Sequence, residues 1–239
     1  MENVSAEKIL SIDIGGSNIK VTLLDEKGTL LMDYKKLETP VTASPENVIS
    51  TIQQLLKDFP DYSKVSVGFP GYVKDGVIMT APNLGTDMWQ GVDFGKKLGE
   101  ILNKPVRVIN DADMLGLGVI AGKGLEMVIT LGTGFGTALL MNGRLLCHLE
   151  LAHHPVSKEQ TYDEYIGEKA LINKGIEKWN TRMEKVLGIL KTVFNYDTLY
   201  IGGGNAKKLN FKLADNIKLF SNKEGIKGGA RLWKEGVMP

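Results

Sequence analysis

The chain holds one cysteine in 239 residues, Cys147. No internal disulfide can form, and no set of thiolates exists to close a tetrahedral zinc site. Net charge is nearly absent, +1 from 29 basic and 28 acidic residues. That balance argues against nucleic acid or an anionic membrane surface as the main partner. No apolar run reaches the length of a membrane span. The opening MENVSAEKIL lacks the apolar core of a secretory signal. No low-complexity or linker-like segment appears, so a boundary between domains must be a compact hinge. These absences lead us to expect a cytoplasmic globular protein. What is plentiful is glycine, 28 residues, more than such a chain needs, and its placement carries the information.

The stretch that organises the rest is VRVINDAD, Val106 to Asp113. It reads as a buried strand ending at Asn110-Asp111 and turning into a small-residue helix, Ala112 to Gly122. In α/β sheets ligands bind beyond the carboxyl ends of strands, so Asn110 and Asp111 stand where function is expected.

Upstream, Ile9 to Ile14 is a strand with Asp13 near its end, followed by the turn Gly15-Gly16-Ser17-Asn18 and a second strand, Ile19 to Leu24. Strand, glycine turn, strand is a hairpin, which excludes the strand-to-helix transition of a dinucleotide fold. A third strand is expected over Thr29 to Tyr34. Apolar residues at 48, 49, 52, 55, 56 and 59 predict a helix from Pro45 to Phe59 with Ser44 as N-cap. Lys64 to Phe69 reads as a strand, Val73 to Thr80 as a hairpin turning at Asp75-Gly76, and Val92 to Asn103 as a helix. Ala81 to Gly91 is irregular; its Trp89 could stack on a sugar or anchor the loop in the core, the safer reading.

The second half repeats the pattern. Met127 to Leu131 stops at Gly132-Thr133-Gly134, Thr137 to Met141 continues as a strand, and Asn142-Gly143 turns into Arg144 to Cys147. Helices are expected over Tyr162 to Lys174, Gly175 to Phe194 and Gly225 to Trp233. A strand at Thr198 to Ile201 runs into Gly202-Gly203-Gly204-Asn205, and Ala206 to Leu219 is mixed helix or loop. The domains predicted are 1–109 and 110–239, with the terminal helix a candidate to pack back on the first.

Chemistry concentrates at these turns. Gly15-Gly16-Ser17 with Lys20, and Gly132-Thr133-Gly134, are candidate phosphate cradles, because glycine lets successive backbone N–H groups point into one concavity. A hairpin glycine needed only for its backbone angle is the bland alternative, and the repetition in two halves weighs against it. Asp13 would repel phosphate, so it fits a water-mediated magnesium partner or an orienter of Lys20. Asp111 is the candidate general base for a hydroxyl attacking a phosphoryl group; the alternative is helix capping, for which Asn110 alone would serve. All three histidines, His148, His153 and His154, cluster in HLELAHHP with Glu150. The spacing is not that of H-E-x-x-H, so a carboxylate and an imidazole binding sugar hydroxyls is preferred to a metal site.

Taken in order, LSIDIGGSNIK, VGFPGYV, NDAD, LGTGFGTAL, ELAHH and YIGGG resemble the ROK family of sugar kinases, and within it the polyphosphate-dependent glucokinases. The resemblance runs from Ile9 to about Leu232. It implies an actin-like, ribonuclease-H-like α/β fold of two domains with the active site in the cleft, usually as a homodimer. It implies Mg²⁺ and polyphosphate, ATP or both as donor. Asp13, Gly15, Gly16, Ser17 and Lys20 match the first phosphate motif, Gly132, Thr133 and Gly134 the second, and Gly202, Gly203 and Gly204 the donor-side motif. Asp111 matches the base, and Asn83, Asn110, Glu150, His153 and Glu164 the sugar positions, with Gly71 in the cleft wall. Two departures stand out. The cysteine-rich zinc loop of many family members is missing, so no zinc is expected, and Ala152 stands where the family usually has Gly. There is also no room before the first motif for the DNA-binding segment of the family's repressors.

The function expected is transfer of a phosphoryl group to the 6-hydroxyl of glucose. An N-acylhexosamine or fructose kinase and a non-catalytic sugar sensor are the alternatives. Lys207, Lys208 and Lys212 are candidate contacts for a polyphosphate chain, or simply a solvated face.

Overall fold

The computed structural model describes residues 7–238. In the first half, β1 (Lys8–Ile14) and β2 (Asn18–Asp25) form the antiparallel hairpin around the first glycine turn, with Ile14 opposite Ile19. The third strand, β3 (Lys35–Glu38), pairs with β2. It lies later than the expected Thr29 to Tyr34, of which only Leu30 bridges back to Leu24. The cause is local: the Asp25 carboxylate accepts the Lys27 and Thr29 amides and holds a tight turn, after which Leu31 and Tyr34 stay exposed. The strand itself, KKLE, is a charged sheet edge, a composition that protects an edge but hides it from pattern reading.

Helix α1 (Pro45–Leu55) is capped by the Ser44 side chain, and it is followed by β4 (Lys64–Phe69), parallel to β1. A small hairpin of β5 (Val73–Lys74) and β6 (Val77–Ile78) turns through Asp75 and Gly76, both at positive φ. Helices α2 (Thr86–Trp89) and α3 (Phe94–Leu102) then lead to β7 (Val106–Asn110), parallel to β4. Trp89 is fully buried between Phe69 and Phe94, and its Nε1 donates to the Ala43 carbonyl at 2.7 Å, so it anchors the core.

Helix α4 (Asp111–Val119) leads into β8 (Leu125–Leu131), β9 (Phe135–Met141) and β10 (Arg144–Leu145). Then follow α5 (Tyr162–Ile166), α6 (Glu168–Lys174), α7 (Ile176–Phe194), β11 (Thr198–Gly202) and β12 (Ile217–Leu219). The expected helix over 162–174 is broken at Gly167, whose extended backbone lets the Glu168 amide reach the Gly132 carbonyl at 3.2 Å. The break braces the second glycine turn. β12 is a short strand within the segment expected to be helix or loop.

The first sheet runs β3-β2-β1-β4-β7 and the second β10-β9-β8-β11-β12. In each half the third, second, first, fourth and fifth strands lie side by side in that order, so the duplication seen in the glycine turns is a duplication of topology.

The expected terminal helix is two short turns, α8 (Asn222–Gly225) and α9 (Gly228–Arg231). They strap α4 to the first sheet. Ser66 Oγ donates to the Gly229 carbonyl at 2.5 Å, Arg107 to the Leu232 carbonyl at 2.6 Å, and Arg231 to the carbonyls of Leu117 and Ile120 at the end of α4. The approach is close enough that a Cβ on Gly228 would overlap the Met114 carbonyl. Gly228→Val is therefore expected to lower unfolding stability by ~2 kcal/mol or more in urea titration, through overpacking against backbone that cannot yield.

Candidate active site

The two sheets face each other across a cleft of about 280 Å³. Its floor is the junction of β7 and α4. Asn110 is the N-cap of α4: Oδ1 accepts the amides of Ala112 and Asp113 at 2.8 and 3.2 Å, and Nδ2 donates to the Gly71 carbonyl at 3.1 Å. Asn110 thus lines the cleft with its side chain committed to the backbone, which leaves Asp111, the first residue of the helix, free of the capping duty. Gly71 is held against the Thr80 carbonyl, where a side chain would not fit.

Asp111 projects into the cleft with one oxygen accepting the Ala112 amide at 2.8 Å. Burial first, and then the negative charges of Asp13 and Asp113, push its carboxyl up to about 7, against the pull of that amide and of His148. Asp13 lies on the same cleft and pairs with Lys20 at 3.0 Å.

The two glycine turns flank this floor. Gly15 and Gly16 line one side and Gly132, Thr133, Gly134 and Gly136 the other. The amides of Gly16, Ser17, Thr133 and Gly134 donate to no protein group among the described residues. A Cβ added at Gly132 would meet no atom within 4 Å, so this glycine faces the open cleft and no packing demand explains it. Of the third glycine run, Gly203 alone lines the cleft, at φ 88°. Gly202 has another role: the Phe220 ring lies against it where a side chain would stand. Gly204 is exposed beside the cleft.

Elsewhere on the cleft wall, a 3-10 turn, Leu151–His153, brings His153 over Glu150, with 3.8 Å between Nε2 and Oε2. Glu150, Ala152, His153 and Asn83 all line the cleft. Glu150 is held below the usual carboxylate range: burial would raise it, but the contact and charge of His148 and the charge of His153 outweigh that. Ser17 faces an adjoining groove with Asn18, Glu38 and Asn83 instead of the main cleft. His154 is exposed near Tyr162.

Glu164 is not brought to the cleft. Its carboxylate accepts the Thr161 amide at 2.8 Å and Thr161 Oγ receives the Glu164 amide, a capping box that starts α5. Its neighbour Asp163 takes the cleft position, accepting the Phe135 amide at 2.6 Å, with burial raising its carboxyl. The signal was present in the sequence: Thr161-x-x-Glu164 is a capping-box spacing, which consumes the glutamate and turns the residue before it inward. His148, buried between Asp113 and Glu150, was likewise seen only as one of a cluster.

Two sheets of like order around a cleft floored by one carboxylate and flanked by glycine turns are the actin-like fold as sugar kinases use it. A family profile places the chain: the ROK family matches residues 9–157, and the chain belongs to that family. It is 34% identical over 213 residues to a polyphosphate glucokinase of Mycobacterium leprae, covering 85% of this chain and 65% of that protein's length. It is 33% identical over 206 residues to a polyphosphate glucokinase of Mycobacterium tuberculosis, covering 82% of this chain and 77% of that one. The crystal structure of an inorganic polyphosphate/ATP-glucomannokinase from Arthrobacter sp. strain KM superposes with a TM-score of 0.84 at 31% identity, covering 94% of this chain and 97% of that one.

The raised Asp111 carboxyl has a stability consequence. Its folded value of about 7 lies above the 3.8 of an ordinary aspartate, so the native state holds the proton more tightly than the unfolded chain. The favourable contribution is complete below about pH 4 and is lost as pH rises through about 7. Asp111→Asn is therefore expected to raise Tm by several degrees at pH 8 and to change it little at pH 4, as scanning calorimetry at the two pH values would show.

Proposed function

We propose that this chain is a hexose kinase that transfers a phosphoryl group from polyphosphate, ATP or both to the 6-hydroxyl of glucose. The observation that carries the reading is Asp111: a carboxylate at the cleft floor whose helix is capped by the neighbouring Asn110, flanked by two glycine turns with free amides and sharing the cleft with Glu150 and His153. Asp111 accepts the hydroxyl proton as the sugar oxygen attacks in line. The amides of Gly16, Ser17, Thr133 and Gly134, with Lys20, offset charge on the transferring group. Glu150, His153, Asn83 and Asp163 take the sugar hydroxyls; the capped Asn110 and Gly71 shape the wall.

The residues fit a magnesium ion. Asp13 is a single carboxylate beside open glycine backbone, and Mg²⁺ is commonly held by one or two carboxylates together with water and phosphate oxygens. Asp13 would hold it through water, and the ion would supply further neutralisation of phosphate charge. The segments 1–109 and 110–239 act in this reading as the two domains that close on the hexose and exclude competing water. Gly203 and the exposed Lys207, Lys208 and Lys212 form the donor side for a polyphosphate chain. The homodimer and the cytoplasmic setting belong to the same proposal. Mannose is a second acceptor to test, because the Arthrobacter relative carries glucomannokinase in its description.

The test is a coupled assay for glucose 6-phosphate with Mg²⁺, run in parallel with ATP and polyphosphate. Turnover with either donor is expected, and none with any hexose would overturn the reading. Asp111→Ala should lower kcat by ~10³-fold or more, if the base and the orientation it gives the hydroxyl are both lost. The free-enzyme profile of kcat/KM should fall about tenfold per pH unit below about 7 and level off above it, since the base works only ionised. A flat profile from pH 5 to 8 would remove Asp111 from that role.

A further inference from the structure

Of the three histidines, His153 and His154 are exposed, and His148 alone has an enclosed side chain. Its side chain is 8% exposed, and its ring stacks on Tyr72 with 5.9 Å between centroids. Nδ1 lies 2.9 Å from Asp113 Oδ2, and Nε2 lies 3.5 Å from Glu150 Oε1, an ionic contact longer than a full hydrogen bond. Asp113 sits in the first turn of α4, two residues after Asp111, while Glu150 lines the cleft. A single ring therefore joins the helix that carries the base to the carboxylate on the sugar side. Among the described residues no group of three or more His, Cys, Asp and Glu could hold a metal ion, so this trio is an ion network.

Glu150 depends on that ring. Its Oε1 is buried and has no hydrogen-bond partner, and Asp113 Oδ1 is in the same state. Without the imidazole, the buried Asp113 carboxylate and the buried Oε1 of the half-buried Glu150 would face each other across the space it leaves, and one carboxylate would have to take up a proton or swing away. The groups around the ring are Asp113 from α4, Glu150 from its own loop and Tyr72 beside the β5 hairpin, with His153 beyond Glu150. Burial would push the ring down, but the bond to Asp113, the contact with Glu150 and the charges of both carboxylates outweigh it and hold His148 up at about 10.

Resting on the hexose-kinase reading of the cleft, we propose that His148 is a positioning residue: it clamps Glu150 for the acceptor sugar and ties that carboxylate, through Asp113, to the helix bearing Asp111. Acceptor and base then share one rigid frame. The clamp predicts a specific kinetic pattern, because the ring touches neither the reacting oxygen nor the donor.

The experiment begins with calorimetric titration of wild-type protein with glucose, then with mannose. Absence of binding to any hexose, together with absence of turnover, overturns the kinase reading and this inference with it. Given wild-type binding, His148→Ala is expected to raise hexose Kd and KM by roughly tenfold or more, as loss of a contact to a charged group does. The KM for the donor should stay within about twofold of wild type. In a Glu150→Gln background the same substitution should change hexose Kd by less than about twofold, since the clamp has lost its object. An unchanged hexose Kd in His148→Ala, or a full additive loss in the Glu150→Gln background, would overturn the proposal. Should His148→Ala fail to fold, ¹⁵N-histidine spectra of the wild type decide, with the His148 signal identified by its absence in His148→Gln. Both ring nitrogens are expected to be protonated at pH 8; a neutral ring at that pH would sink the clamp.

Discussion

The Asn110 side chain is the constraint on which the site depends. By accepting two amides of α4 and donating to the Gly71 carbonyl, it fixes the start of that helix to the backbone of the first half. A helix start needs its first amides satisfied. Because the neighbouring asparagine supplies that service, the aspartate behind it can stand at the cleft floor with an oxygen to offer. The far end of the same helix is held by Arg231 from the terminal segment, so the carboxylate sits on an element pinned at both ends.

Around that frame the cleft gathers acid: Asp13, Asp111, Glu150 and Asp163 all line it. Burial, and then mutual repulsion, raise Asp111, while Lys20 partners Asp13 and His148 holds Glu150 low. The environments push these carboxyls in different directions, so that one pocket holds one acid near neutrality and another below the usual carboxylate range. The glycine turns provide the opposite polarity without adding side chains, through amides that the fold leaves unpaired.

Much of this was legible from residue order. The two strand–glycine–strand hairpins, the Ser44 cap and the strand into Asn110-Asp111 all follow from short-range rules, and the structure contains them where the pattern put them. Less legible was whatever depends on partners distant in the chain. β3 is a charged edge whose pairing with β2, not its own composition, makes it a strand. Gly202 looked like part of a donor loop, but the ring of Phe220 explains it. Glu164 matches a family sugar position by resemblance, but its carboxylate closes a capping box and Asp163 lines the cleft in its place.

The sequence by itself determined the duplicated hairpins, the helix N-caps and the chemical inventory of the cleft, because turn geometry, capping and apolar periodicity act over a few residues. Tertiary structure decided which of those groups meet. Asp113, His148 and Glu150 are separated by up to 37 positions and form one network only because α4 and the loop after β10 converge on the same cleft. It likewise decided that the last turns close back over α4 and the first sheet, since only there does Gly228 meet the Met114 carbonyl and Gly229 the Ser11 side chain closely enough to need the absence of a side chain.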